Sequence, residues 1–274
     1  MQRLFVVILA LIGLLMAAPS ARSESFSTEE LMRATALDEV FTQFGAGIAA
    51  SARSEEVSRD ELFLEHWETT ALSVFDADAL GDRLARALDG RFSQEEQQAL
   101  AAFFRSEFGR RMTGLERDIA RLPPEAQLTA LAAGTALSAK AGAVRSTQLD
   151  DLVQLVGAEI SVAMVGQSVR ALLVAMAVSQ QQGEIEVPWP AIDAQVDAMM
   201  PGLLADVART QRAMMAYAYR DLSDTDLGRY IAFLRTEPAQ RLYAIAAYAV
   251  GRIVADSMAH FGEALSARLH SVNI

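Results

Sequence analysis

The chain has 274 residues, of which 52% are hydrophobic and none is cysteine, and its formal charge at pH 7 is −11. Without cysteine there is no disulfide, no thiol nucleophile, no thiolate metal site and no lipid-modified cysteine anchor. An acidic chain with no basic stripe repels nucleic acid and anionic membrane surfaces, so neither is expected as a partner.

Met1-Gln2-Arg3 precedes an unbroken apolar run from Leu4 to Met16, and small residues with a proline follow from Ala17 to Ser23. A basic start, a short hydrophobic centre and a small-residue zone predict a secretory signal peptide at 1–23, cut after Ser23. The run is well short of the roughly 20 residues that span a bilayer. Export to the periplasm follows, with no stable transmembrane anchor after cleavage and a net charge of −13 once Arg3 and Arg22 are gone.

Ser27 with Glu30 is a capping-box pattern that opens a helix with the apolar face Leu37, Val40, Phe41, Phe44 and Ile48. Ser58 with Glu61 opens the next, carrying Leu62, Phe63 and Trp67, and Asp76 starts a third that stops at Asp89-Gly90. Residues 92–112 follow, FSQEEQQALAAFFRSEFGRRM. Here Ser93 caps a helix with Leu100, Phe103 and Phe104 on one face, and Ser106 caps a second helix from Glu107. Arg105 sits at the carbonyl end of the first and Glu107 at the amide end of the second, each favourable to the local dipole. Leu122-Pro123-Pro124 closes that pair, and an alanine-rich helix runs from Glu125 to Ala141.

Thr147 with Asp150 opens the most apolar segment of the mature chain, Leu152 to Val178. Its Gln154, Glu159, Gln167 and Arg170 are costly in hydrocarbon, which predicts a central core helix and not a membrane span. Gly183, Pro188 and Pro190 mark a linker at 180–190. A helix restarts near Ala191, is interrupted at Pro201 and resumes to Tyr219. Residues 222–242, LSDTDLGRYIAFLRTEPAQRL, lead into a last long helix from Glu237 towards Leu269. Helix caps recur at the expected starts and no alternating strand pattern is present, so the fold class is all-α.

The two quoted stretches match at a spacing of 130 positions: Ser93 with Ser223, Phe103 with Phe233, Arg105 with Arg235, Ser106 with Thr236, and Arg111 with Arg241. The same offset sets 60–72 over 190–202, 76–89 over 206–219, and the first mature helix over the second half of the apolar segment. The expected architecture is therefore two tandem related helical units packed on each other, 24–146 and 147–274, after the signal peptide.

Residues 92–112, including Ser106 and Gly109, resemble a family catalogued as domain of unknown function number 2059, frequent in exported proteins of Gram-negative bacteria. The second stretch resembles it less closely: Ala239 stands where the family has glycine, while Pro238 agrees with the family's proline. The resemblance implies a helical fold and an envelope location. It carries no established activity, so it assigns no functional residues.

Most site chemistries find little support in the residues. His260 shares a helix face with Asp256 and Glu263, a face that is also an ordinary solvated one, and His66 and His270 stand apart. Met199-Met200 and Met214-Met215 suit a soft cation in type but also serve as core gap-fillers. Gly166-Gln167-Ser168 lacks the second glycine of a nucleophile elbow. Arg105, Arg111, Arg235 and Arg241 suit either an anion or helix ends. The reading is a periplasmic, non-catalytic binding or interaction module for an envelope protein or small ligand, without cofactor, metal or nucleic acid. A hydrolytic enzyme using carboxylates and arginine at the repeated motif is the first alternative, and a weak metal-handling protein the second. The candidate motif residues are Ser93, Phe103, Arg105, Ser106, Gly109, Ser223, Phe233, Arg235, Thr236 and Pro238.

Overall fold

The computed structural model describes residues 26–54, 58–155 and 188–271, together with positions 166, 169, 170 and 173. The expected signal peptide at 1–23, most of the apolar segment 152–178, and the linker 180–190 up to its last three positions lie outside the described residues. Among the described residues the chain is all-α, with no strand. The helices are α1 Thr28–Ala34, α2 Phe44–Ser54, α3 Glu61–Val74, α4 Ala77–Leu88, α5 Gln94–Phe104, α6 Glu107–Ala120, α7 Pro124–Ala139, α8 Ala143–Leu155, α9 Trp189–Ala218, α10 Asp224–Leu234 and α11 Glu237–Ser271.

Capping chemistry places most of these boundaries. The Ser27 and Ser93 hydroxyls accept the Glu30 and Glu96 amides, and each carboxylate accepts the cap amide in return, at 3.0 and 2.7 Å. Asp76 accepts the Ala79 amide at 2.9 Å and opens α4, whose Leu80, Leu84 and Leu88 form one buried stripe. Ser106 accepts the Gly109 amide at 2.9 Å and opens α6, and Ser223 accepts the Asp226 amide at 3.0 Å and opens α10.

Four expected boundaries move. The helix expected to run from Ser27 through Ile48 breaks after Ala34, because the Thr35 hydroxyl donates to the Leu31 and Met32 carbonyls and Ala36 takes φ +57. A single 3-10 turn at Leu37–Glu39 and a fresh start at Phe44 follow, so Leu37, Phe41 and Ile48 reach the core by way of turns and not as one rod. Asp60, not Ser58, caps α3 through the Leu62 amide, while Ser58 accepts the Asp60 amide. α8 begins at Ala143, and Thr147 sits inside it with its hydroxyl on the Ala143 carbonyl. α9 continues through Pro201 without a break. Proline there deletes one amide donor, but it lies at an exposed position of the helix. The later part of α9 packs along α7. Gly134 makes that seam close: a Cβ on it would run into the Ala213 carbonyl.

Two cores result. The larger gathers α1 to α5 around the flank of α11, with Trp67, Phe75 and Phe261 in ring contact and the Trp67 indole donating to the Ile48 carbonyl at 2.7 Å. The smaller joins α6, α8, α10 and the end of α9 through Met112, Leu152, Leu222, Leu227 and Leu234. Phe103 and Phe233 pack against both cores. α11 alone among the described helices is long and apolar enough to cross a membrane, and half of its most apolar window is buried in the protein.

The angle between α5 and α6 is set at Gly109. A Cβ there would clash with the Phe103 carbonyl and come within 2.9 Å of the Phe104 Cα, all of it backbone that cannot yield cheaply. At Gly114, further along α6, a Cβ would meet nothing within 4 Å. Gly109→Ala is therefore expected to lower the urea unfolding free energy by about 1–3 kcal/mol, as overpacking does. Gly114→Ala is expected to raise it by about 0.5–1 kcal/mol through helix propensity.

Candidate functional site

The ten motif residues occupy structural positions. Ser93, Ser106 and Ser223 are helix caps, and the Thr236 hydroxyl donates to the Phe233 carbonyl at 2.7 Å as the Ser106 hydroxyl does to Phe103 at 2.6 Å. Pro238 lies in the first turn of α11, where a missing amide removes no helical bond. Phe103 and Phe233 stack face to face, centroids 3.5 Å apart. Arg105 bridges to Glu30 at 3.5 Å over the Phe26 ring, and Arg235 bridges to Asp151 at 2.9 Å. Both guanidiniums are surface groups, so the hydrolytic alternative's arrangement, an inward arginine beside two acids, is not formed at either. Asp256 pairs with Arg83 and Arg252, and no group of three His, Asp or Glu side chains close enough to share a metal ion occurs among the described residues.

What the structure does bring together is a cluster the motif does not contain. Glu116 lies on α6 seven residues after Gly109, on the side that carries buried Met112 and Thr113. Its Oε1 accepts hydrogen bonds from the Tyr219 and Tyr230 hydroxyls, each at 2.6 Å. Tyr219 ends α9 and Tyr230 stands on α10; Tyr243, on α11, faces the same carboxyl. Oε2 accepts no hydrogen bond among the described residues, and no cation is paired with the group among them.

The cluster forms one wall of a cavity of about 590 Å³. Leu37, Val40, Phe44, Ile119, Met214 and Met215 supply an apolar lining, and Tyr219 and Tyr243 add ring surface. Glu39 and Glu116 are its only charged residues among those described, and no lysine, arginine or histidine among them lines it. The volume lies within the range of small-molecule sites, and an apolar lining with few polar groups is their usual composition.

The two acids are poised in opposite directions. Glu39 is held below the ordinary carboxylate range, chiefly by the hydrogen bond from Arg121, with the charges of Arg121 and Arg117 adding to it. Glu116 is pushed up by desolvation, which the two tyrosine hydrogen bonds offset only in part. Tyr219, Tyr230 and Tyr243 are pushed up as well, first by burial and then by the carboxyl beside them. Glu116 is partly exposed as a residue, and it borders the cavity. A sequence signal existed: an acid that continues the buried stripe Gly109, Met112, Thr113, and five tyrosines that all fall between 217 and 248.

Residues 78–139 match the family described as "Uncharacterized protein conserved in bacteria (DUF2059)". That span runs from α4 to the end of α7 and holds Glu116 but none of its tyrosines, and residues 222–242 lie outside it. No curated protein and no solved structure matches the chain.

A carboxyl whose folded pKa lies above its unfolded value keeps its proton better in the folded state, so its contribution to stability is present at acid pH and is lost as pH rises through the folded value. Glu116→Gln keeps the acceptor for both tyrosines and removes that loss. Its unfolding free energy is expected to equal or exceed that of the wild type at pH 7 and to fall below it near pH 4. Glu116→Ala strands two buried hydroxyls and is expected to cost about 1–3 kcal/mol at either pH. Urea titrations of the three proteins at both pH values check this.

Proposed function

We propose that the protein is an exported binding module of the cell envelope, with a small ligand seated in the cavity beside Glu116. The observation that carries this reading is a buried carboxyl with no cationic partner among the described residues, placed on the wall of an apolar cavity of ligand size. Desolvated carboxyls without a counter-ion oppose folding, so one retained at a cavity wall points to use. The basic-then-apolar-then-small pattern of residues 1–23 supports export.

We also read the chain as two copies of one helical unit. Arg105 and Arg235 end α5 and α10 with nearly identical torsions, φ −81 in both and ψ −10 and −4. Phe103 stacks on Phe233 with planes only 4° apart, so the equivalent residues of the two units meet each other. The arginine that ends each helix bridges to an acid in Glu29-Glu30-Leu31-Met32 or in Asp150-Asp151-Leu152-Val153, two similar tetrads whose leucines are both buried. In this reading α8 stands to the second unit as α1 does to the first, at a spacing of 121 and not the 130 that relates the motif stretches, and the second unit starts at Ala143, four residues before 147. The positions that answer to Glu116, Tyr230 and Tyr243 are Ala246, Leu100 and Thr113, all buried. The same local fold is thus built once without the polar cluster, which speaks for a role at the site and not in the scaffold.

Expressed at full length in a Gram-negative host, the protein is expected in the periplasmic fraction with Glu24 as its first residue. The purified protein is expected to enhance the fluorescence of N-phenylnaphthylamine, a neutral apolar probe. Ala120→Trp, which fills the cavity from an exposed lining position, is expected to weaken that binding about tenfold or more, a loss of at least about 1.4 kcal/mol. Probe binding that is absent, or indifferent to Ala120→Trp, would remove the cavity as the site.

A further inference from the structure

We propose that the ligand of this cavity is a cationic amphiphile, an ammonium group on an apolar body, with Glu116 as its counter-ion. The inference rests on the cavity being a binding site at all, as proposed above, and adds the charge of what it takes.

Charge points this way first. Glu39 and Glu116 are the only acidic or basic side chains on the wall among the described residues, and the whole chain carries −11. An anionic ligand would enter against the overall charge of the chain and meet no base among the described lining residues. A cation meets neither obstacle.

The coordination of Glu116 is also unfinished. Tyr219 and Tyr230 both donate to Oε1, while Oε2, on the carboxyl that borders the cavity, accepts nothing among the described residues. An ionised carboxylate takes about four donors, and a charged donor is worth more than a neutral one. An ammonium at Oε2 supplies both the missing donor and the missing charge. Glu39 does not compete for that role, because Arg117 and Arg121 already hold it.

The remaining walls suit the two parts of such a molecule. Phe44, Tyr219 and Tyr243 present aromatic rings, whose faces attract ammonium groups. Met214 and Met215 present polarisable thioethers that adapt to an apolar chain. Of the two methionine doublets expected to suit a soft metal or a core, Met214-Met215 borders the cavity, with Met215 also packing against the smaller core, while Met200 packs against the larger core and Met199 is exposed.

The test is displacement of N-phenylnaphthylamine from the purified protein at neutral pH by three probes of equal length: octylamine, octanol and octanoate. Wild type is expected to bind octylamine about tenfold or more tighter than octanol, with octanoate weakest. In Glu116→Gln, which keeps the side-chain volume, the octylamine advantage is expected to fall below about twofold with octanol unchanged. Equal binding of the three by wild type, tighter octanoate, or an advantage undiminished in Glu116→Gln overturns the assignment while leaving the cavity as a site. The wild-type comparison decides even if the variant does not fold. Failure of the naphthylamine itself to bind wild type rejects the site and the assignment together.

Discussion

Everything in this structure depends on two sharp elbows braced against each other. At Arg105–Ser106 and again at Arg235–Thr236 one helix stops, a hydroxyl bonds back to the carbonyl three residues earlier, and a new helix leaves at once. The first elbow closes so tightly that Gly109, three residues past Ser106, has room for no Cβ. Phe103 and Phe233, one from each elbow, then lie ring on ring where the two cores meet. That contact fixes the directions in which α6 and α11 depart, and so decides that Glu116 on one and Tyr243 on the other face the same space.

The cluster at Glu116 follows from that geometry. Four elements contribute one polar group each: Glu116 from α6, Tyr219 from the end of α9, Tyr230 from α10 and Tyr243 from α11. Two carboxyls share the cavity, and one of them is neutralised by arginines while the other is not. Burial pushes the second above the ordinary carboxylate range, and the tyrosines pull the other way without prevailing. A group left in that balance responds strongly to any charge brought near it, which is what a binding site for a cation requires.

Much of the fold is legible in the sequence because helix starts are local chemistry. Ser27, Asp76, Ser93, Ser106 and Ser223 each open a helix where the cap rules place one. The stretch from Thr35 to Phe44 is not legible in this way, because apolar spacing that fits a continuous helix is equally satisfied by a turn through Ala36 that returns Leu37 and Phe41 to the core. Pro201 looks like a break because the sequence does not show that the helix runs on with the proline at an exposed position. The site is hidden for a related reason. The motif advertises caps and stacked rings, which are scaffold, whereas Glu116 meets its tyrosines only through contacts spanning more than a hundred residues.

The most direct measurement is the carbon-13 carboxyl resonance of Glu116, assigned by its loss in Glu116→Gln and followed through pH with and without octylamine. The account predicts a resonance that stays protonated after the other glutamates have ionised, and that shifts to the ionised position when the amine is added. A resonance that titrates with the surface glutamates and ignores the amine would contradict it.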